Sequence, residues 1–324
     1  MKGWQCGHDI LSEGISHQMN DQIQTITIGI SAYNEEANIA YLLDDILCQK
    51  EDRFVIEKIF IISDGSSDRT TELVRTIVDP RIQVTAYPDR KGKTARVSEI
   101  LAATSSDIVV ILDADVALRG ESFVANIVRP IMNGKADLVG TKVVPVAAET
   151  FIEKVLEASM RLKTALFEGY CGGHNVYTCS GAARAISRRL YSQLRFPDKV
   201  GEDAYSYFVC ITNGFTYAYA KDAVVMNKLP ETLHDHILQS ERFAHSREQF
   251  YADFDINTIK REYKLPLWPA VRLFFSSGIK FALYILLYVV IVSVVHIKSL
   301  FSTSASNLWL ISKSSKDLRR NKGI

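Results

Sequence analysis

The sequence predicts an α/β fold in which a mostly parallel sheet is flanked by helices. Short apolar runs rich in β-branched residues alternate with helical segments along the first third of the chain. That alternation is typical of parallel sheets with helices on both faces. The runs TITIGISA at 25–32 and IVVIL at 108–112 are apolar throughout. Continuous apolar strands fit a sheet that is buried on both sides.

The first half of the chain divides into four predicted strands and three predicted helices. The strands cover 25–32, 59–63, 82–86 and 108–112, and the helices cover 34–49, 69–78 and 93–104. Asn34 is suited to cap the first helix, because its side chain can accept from backbone N–H groups and Glu35 and Glu36 favour the positive helix end.

The second half is less regular. Its predicted elements are a strand at 138–146, an amphipathic helix at 151–167, a Gly-rich loop at 169–173, a further strand at 176–179, short helices at 187–194 and 202–211, and a hairpin of 216–220 with 223–226. A helix is also expected around 239–243. We expect one catalytic domain over 23–250, preceded by a polar leader at 1–22.

Charge and cysteine content restrict the partners and the compartment. The formal net charge of +1 gives no general attraction to polyanions, so we expect no nucleic-acid partner. The five cysteines are odd in number and contain no CxxC pair. That pattern indicates reduced thiols in a domain that faces the cytoplasm rather than a disulfide framework.

A long apolar run near the C-terminus predicts membrane association. Residues 279–297 read IKFALYILLYVVIVSVVHI, with one charge at Lys280. About 20 apolar residues span a bilayer as a helix, and a run without a polar face favours the membrane over the alternative of a buried core helix. The segment 251–278 is expected to be a linker with an interfacial part, and the basic tail 298–324 suits an anionic lipid surface.

Polar clusters follow the predicted strands at the edge where parallel sheets bind ligands. Asp113-Ala114-Asp115 comes directly after the fourth strand. In extended chain the two carboxylates point to the same side. Divalent cations such as Mg²⁺ take one or two carboxylates together with substrate phosphates. The motif therefore predicts a metal site, against the alternative of a solvated turn.

Further polar residues lie at the ends of other elements. Asp64 can accept from a ribose hydroxyl or a base N–H, or it can simply stabilise its turn. Lys91, Lys93 and Arg96 can bind phosphate or form a solvated basic turn. Glu202-Asp203 opens a helix, where a carboxylate serves either as a base for an acceptor hydroxyl or as a cap.

Five motifs occur in the order of a known family. They are Ile30-Ser31-Ala32-Tyr33-Asn34-Glu35-Glu36, SDGSSDRT at 63–70, Lys91-Gly92-Lys93, Asp113-Ala114-Asp115 and Gly201-Glu202-Asp203. Over residues 24–250 the chain resembles the family 2 glycosyltransferases. The resemblance implies the Rossmann-like GT-A fold and a nucleotide-sugar donor.

The resemblance also implies roles for single residues on the donor side. Ala32 and Glu35 would line the nucleotide site, Asp64 would bind the base (commonly uracil), and Lys93 would lie along the same pocket. Asp113 would contact the ribose or phosphate, and Asp115 would bind Mn²⁺ or Mg²⁺.

On the acceptor side, the resemblance makes Asp203 the general base of an inverting displacement, with Glu202 beside it. Gln239, Arg242 and Phe243 are similar to a Gln-x-x-Arg-Trp motif, with Phe in place of Trp. Their spacing puts Gln239 and Arg242 on one helix face, and Arg suits phosphate contact as the leaving group departs. Ser180-Gly181-Ala182 resembles the loop on the acceptor side.

The expected function is inverting transfer of a sugar, with UDP the favoured nucleotide, to a hydroxyl acceptor in glycan or glycolipid synthesis. The predicted membrane anchor favours a lipid-linked acceptor, and a single span favours one sugar per event. Two alternatives are a nucleotidyltransferase on a similar sheet and a non-catalytic nucleotide-binding relative. The first usually carries a Gly-rich basic loop where this chain has Tyr33-Asn34-Glu35-Glu36.

Overall fold

The computed structural model describes residues 23–197, 201–264, 271–272, 274–275, 278–301 and 317–318. Within these residues one sheet contains eight strands: β1 Gln24–Ala32, β2 Phe54–Asp64, β3 Ile82–Tyr87, β4 Ile108–Asp113, β5 Val116–Leu118, β6 Leu138–Pro145, β7 Ala183–Ser187 and β8 Tyr217–Asn227. The strand order is β3-β2-β1-β4-β7-β6-β8-β5. The first four strands in this order are parallel, whereas β7 is antiparallel to both β4 and β6.

Helices connect and cover these strands. Their bounds are α1 Ile39–Leu47, α2 Thr70–Thr76, α3 Lys93–Ala103, α4 Phe123–Met132, α5 Phe151–Gly169, α6 Arg188–Tyr191, α7 Glu202–Thr212, α8 Leu233–Gln249, α9 Ile256–Glu262 and α10 Ile279–Phe301. The predicted α/β architecture is confirmed, and its parallel character is confined to β1–β4 and to the pair of β6 and β8.

Two apolar cores lie on opposite faces of the sheet. Along β4, Val110 and Leu112 belong to the core with α1 and α4, whereas Val109 and Ile111 belong to the core with α3 and α7. This alternation follows from the two-residue period of a strand. The sheet is therefore covered on both faces, and its polar strand ends are the places where the site residues meet solvent.

Two predictions for the second half were wrong. Val176–Thr178 is a 3₁₀ turn, and the strand of this region is β7. The predicted hairpin is the single strand β8. Its pairing with β6 shifts between Thr141 and Lys142, where Thr141 faces Ala220 and Lys142 faces Val224. Lys221 and Asp222 lie in β8 at this irregularity. Two adjacent polar residues between apolar ones are typical of a turn, which explains the wrong prediction.

The first helix also begins later than predicted. It starts at Ile39, and Asn34 adopts a left-handed conformation with φ of 51° instead of capping it. Cys171 is disulfide-bonded, so the expectation of reduced thiols was wrong for this residue, whereas Cys48, Cys179 and Cys210 are free. Spacing along the chain gave no signal for that bond.

The apolar C-terminal run forms α10, which packs on the catalytic domain. Tyr284 meets Phe151 of α5 edge-to-face at 6.2 Å between ring centroids. Tyr288 accepts from Lys163 of α5 and lies 6.0 Å from the ring of His236 on α8.

Across the described parts of the chain, no helix has the length and apolar character needed to cross a membrane. The prediction of a transmembrane helix at 279–297 is therefore not supported. The predicted leader 1–22 and most of the predicted basic tail lie outside the described residues.

Candidate active site

The loops that follow β1 and β2 hold each other in place. The Asn34 side-chain oxygen accepts from the Ser67 backbone N–H at 2.8 Å, and the Asn34 backbone N–H donates to Ser66 Oγ at 3.1 Å. Glu35 is buried, its N–H donates to Thr70 Oγ1, and its carboxylate accepts from Asn38. The carboxylate of Glu35 therefore braces the start of α1.

Asp64 ends β2 and organises the turn before α3. Its Oδ1 accepts from the Lys91 N–H at 2.8 Å and from Arg96 Nε at 2.7 Å, and its Oδ2 accepts from the Gly92 N–H at 2.8 Å. Gly92 has a φ of 91°, which favours glycine. Arg96 is fully buried, so it serves this carboxylate rather than a phosphate in solvent.

Lys93 lies directly after this turn and joins two acidic segments of the chain. Its Nζ contacts Asp113 Oδ1 at the end of β4, and it lies 2.8 Å from Glu202 Oε1 at the start of α7. It also donates to the Gly181 carbonyl at 3.2 Å. Burial disfavours its charge, but Asp113 and Glu202 outweigh burial and raise the pKa of Lys93. The side chain is therefore a buried ammonium at physiological pH.

The two carboxylates of α7 have opposite electrostatic behaviour. Burial of Glu202 opposes ionisation, yet Lys93 and Arg184 lower its pKa to about 2. For Asp203, burial and the neighbouring charge of Glu202 raise the pKa, against the effects of Lys93 and Arg184. Glu202 is thus a fixed anion, whereas Asp203 is the more basic of the two.

Asp113 ends β4, and Asp115 lies in the two-residue connection to β5. Burial raises the pKa of Asp113 to about 7 against the opposing charge of Lys93, and the charge of Asp115 adds to the rise. A divalent cation nearby would favour the ionised form of both groups. Among the described residues, no three His, Cys, Asp or Glu side chains are grouped to hold a metal ion. A pair of carboxylates still fits an ion that takes its remaining ligands from phosphate and water.

The loop 180–182 lies against both acidic segments. The Asp113 N–H donates to the Ala182 carbonyl at 3.0 Å. At Gly181, an added Cβ would lie 3.0 Å from Lys93 Nζ and 3.2 Å from Asp203 Oδ2. Glycine therefore allows the loop to approach the ammonium and the carboxylate closely. This loop was expected on the acceptor side, and it borders Asp203.

The structure brings together most, but not all, of the predicted site residues. Asp113, Lys93, Glu202 and Asp203 form one cluster, and Asp64 adjoins it through the turn before Lys93. Ala32 ends β1 beside Ser63 of β2 and is buried.

The remaining residues either lie outside this cluster or were not predicted from the sequence. Gln239 lies half-buried on α8, and the Arg242 and Phe243 side chains lie outside the described residues. Arg184, which contacts Glu202, was not predicted from the sequence. A charged residue inside the otherwise apolar first part of β7 could have indicated it.

Comparison with known proteins agrees with this geometry. The model of the family "Glycosyl transferase family 2" matches residues 27–195, which is more than half of the chain. Identity is 32% over 96 residues with poly-beta-1,6-N-acetyl-D-glucosamine synthase of Staphylococcus aureus, covering 29% of this chain and 23% of the relative. It is 31% over 118 residues with glucosyl-3-phosphoglycerate synthase of Mycobacterium tuberculosis, covering 35% of each. The chain thus matches about a quarter to a third of these relatives' length.

Solved structures share the fold. A mannosyltransferase from Pyrobaculum calidifontis, in complex with GDP-Man and Mn²⁺, has a TM-score of 0.54 at 17% identity, covering 87% of this chain and 76% of that one. Glucosyl-3-phosphoglycerate synthase from M. tuberculosis, in complex with Mn²⁺, UDP and phosphoglyceric acid, has a TM-score of 0.52 at 23% identity, covering 70% and 78%. The curled mixed sheet, the matched family model and these neighbours agree, and the chain belongs to the family 2 glycosyltransferases of GT-A fold.

Proposed function

We propose that this protein transfers a hexose from a UDP-sugar to a hydroxyl acceptor with inversion at the anomeric carbon. The contact that carries the proposal is the bridge that Lys93 makes between Asp113 and Glu202. The bridge links two parts of the site. Asp113 and Asp115, after β4, suit a metal-bound diphosphate, and the start of α7 carries Asp203, whose pKa is raised. A donor bound at the first would have its reacting carbon near the second.

The donor half is formed by the ends of β1, β2 and β4. Asp113 and Asp115 supply the hard oxygen ligands that Mn²⁺ and Mg²⁺ take. When bound, the ion would neutralise charge on the departing diphosphate. A relative in this family has been solved with Mn²⁺ and UDP, which supports uridine as the nucleoside. A GDP-linked donor is the second candidate, because the mannosyltransferase carries GDP-Man.

The acceptor half is formed by α7 and the loop 180–182. Asp203 would take the proton of the acceptor hydroxyl while that oxygen attacks the anomeric carbon from the face opposite the phosphate. The bond from that carbon to the phosphate oxygen breaks, and its electron pair stays with the diphosphate. The raised pKa of Asp203 favours this role, because a stronger base accepts the proton more readily.

The decisive experiment compares two substitutions in the acidic segments. Asp203→Asn should lower turnover of a UDP-sugar about 10²- to 10⁴-fold, the usual contribution of a general base, and leave UDP binding with Mn²⁺ unchanged. Asp115→Ala should abolish the Mn²⁺-dependent part of UDP binding measured by calorimetry. Glu121→Gln, at an exposed ion pair with Lys50, is the control. Turnover that survives Asp203→Asn would contradict the base assignment.

We further propose that the protein associates with a membrane surface on its cytoplasmic side and takes a lipid-linked acceptor. The support is the face of α10 that does not pack on α5 and α8. Its exposed apolar side chains include Ile279, Leu283, Leu286, Val289 and Val290. An exposed apolar patch of this kind is typical of protein or membrane contact. The basic residues of 298–324 complement anionic lipid.

Vesicle binding tests this second proposal. The full chain should sediment with vesicles of phosphatidylcholine and phosphatidylglycerol, and the double substitution Leu286→Gln and Val290→Gln should reduce the bound fraction. Val78→Gln is the matched control, because Val78 is 98% exposed but lies outside α10. Equal sedimentation of the double variant and the control would contradict the assignment of α10 as the lipid contact.

A further inference from the structure

Arg184 is a buried cation whose hydrogen-bonding groups are mostly unused. It lies in β7, between Ile111 of β4 and Gly140 of β6, and its side chain is fully buried. Nη1 lies 3.5 Å from Glu202 Oε1, whereas Nε and Nη2 have no hydrogen-bond partner within the described chain. A buried charge without full compensation is costly, and an apolar residue at this position would pack at lower cost. Packing alone therefore does not explain an arginine here.

The one contact that Arg184 makes leads into the active site. Glu202 Oε1 accepts from Arg184 and lies 2.8 Å from Lys93 Nζ, so two cations share one carboxylate oxygen. Lys93 in turn contacts Asp113. Arg184 is therefore connected to the end of β4 through two intermediate side chains, and it is too deeply buried to meet a substrate.

A second cation, Arg184, accompanies Lys93 beside the acidic residues of the site. Four carboxylates lie at the ends of β4 and α7, namely Asp113, Asp115, Glu202 and Asp203. Lys93 and Arg184 are the two cations that act on Glu202 and Asp203. Without Arg184, Glu202 would lose one of its two cationic contacts, and Lys93, which also contacts Asp113, would be the one cation left in contact with it among the described residues.

We propose that Arg184 is a positioning residue that acts through Glu202. Its guanidinium fixes the Glu202 carboxylate in the orientation that lets Lys93 bridge Glu202 and Asp113. The bridge in turn fixes the first turn of α7, which carries Asp203. The catalytic consequence rests on the proposed transferase function, whereas the structural consequence does not.

A crystal structure of Arg184→Met tests the structural step directly. Methionine keeps much of the side-chain length and removes the charge. We expect the separation of Lys93 Nζ and Glu202 Oε1 to rise from 2.8 Å to beyond hydrogen-bond distance, roughly 3.5 Å. A Lys93–Glu202 contact that is unchanged in the variant would overturn the proposal whatever the enzyme catalyses.

A double-mutant cycle tests the route of the effect. Arg184→Met should lower kcat about 10- to 100-fold, as loss of an outer-shell partner commonly does, with a smaller change in KM for the donor. In a Glu202→Gln background the same substitution should have little further effect on kcat, because the carboxylate through which Arg184 acts on Lys93 is already absent. Equal losses in both backgrounds would overturn the proposal.

Thermal unfolding separates positioning from simple stability. Arg184→Met removes two unpaired buried donors together with one cationic contact of Glu202, so these opposing effects should leave only a small change in the unfolding temperature while kcat falls. Arg189→Met is the matched control, since Arg189 binds Asp137 with two hydrogen bonds and should lose stability without a specific loss of kcat. If Arg184→Met loses kcat only in proportion to its folded fraction, the proposal is wrong. A wild-type enzyme inactive with every nucleotide-sugar would remove the proposed function and leave the crystallographic test standing.

Discussion

Asp64 illustrates how the surroundings of one residue define its tasks. Its sequence position suggested contact with the nucleotide base, yet its two oxygens already accept from Lys91, Gly92 and Arg96. Arg96 also donates to the Asp89 carbonyl and stacks over the ring of Tyr87. The carboxylate therefore holds the turn that delivers Lys93, and any base contact would use its remaining acceptor capacity.

At this scale we predict a large stability loss for Asp64→Ala. Removing the carboxylate leaves Arg96 Nε and the backbone N–H groups of Lys91 and Gly92 without their acceptor, although Glu99 still pairs with the guanidinium. Each buried group left unpaired commonly costs about 1–3 kcal/mol. The free energy of unfolding from denaturant titration measures it. Glu121→Ala removes an exposed partner of Lys50 and should leave that free energy nearly unchanged. Similar values for the two variants would show that Asp64 is not a structural anchor.

At the scale of elements, the junction of α5, α8 and α10 contains a partly buried histidine whose protonation depends on the packing of the three helices. His236 of α8 is partly buried beside the Tyr288 ring, and burial and the charge of Lys163 lower its pKa to about 4. The ordinary histidine pKa is 6.5, so the unfolded chain binds this proton more readily than the folded one. Stability contributed by neutral His236 is therefore present above pH 6.5 and is lost as the pH falls toward 4.

This pH dependence predicts a specific effect of His236→Gln. The wild-type unfolding temperature should fall between pH 6.5 and pH 4, and His236→Gln should reduce that fall because glutamine does not titrate. His234→Gln, on the exposed side of the same helix, should leave the fall intact. Identical pH profiles for wild type and His236→Gln would assign the acid sensitivity to other groups.

For the whole molecule, binding of the sugar donor should change the stability of the folded protein. A ligand that binds only the folded protein raises the free energy of unfolding by about 2.7 kcal/mol at 100 times its Kd. We therefore expect a UDP-sugar with Mn²⁺ to raise the unfolding temperature more than GDP- or dTDP-sugars do. Asp115→Ala should remove the part of the shift that depends on Mn²⁺. A larger shift with the GDP-sugar would favour the second candidate donor.

The parallel half of the fold was predictable from the sequence because each of its strands is a local run rich in β-branched residues. The prediction failed where a polar residue lies inside an element. Arg184 interrupts β7, Lys221 and Asp222 give β8 the look of a turn, and Pro130 lies within α4. The end of β4 located Asp113 and Asp115, whereas Glu202 and Asp203 lie at the start of a helix. The contact between Lys93 and Glu202 joins residues far apart in the chain, so no local pattern announced it.

The short connection between β4 and β5 sets a rule for the length of the acidic motif. Only Ala114 and Asp115 separate β4, which lies inside the sheet, from β5, which pairs with β8 at its edge. If one inserted residue shifted β5 by one position, Val116 and Leu118 would move from the core that they share with α1 and α4 to the face now occupied by Ala117, because side chains alternate along a strand. The separation of the two aspartates is therefore fixed by the closure of the sheet as well as by their chemistry. Sequence drift can change the residue between them, whereas an added residue would have to be accommodated in the connection or would disturb the pairing of β5 with β8.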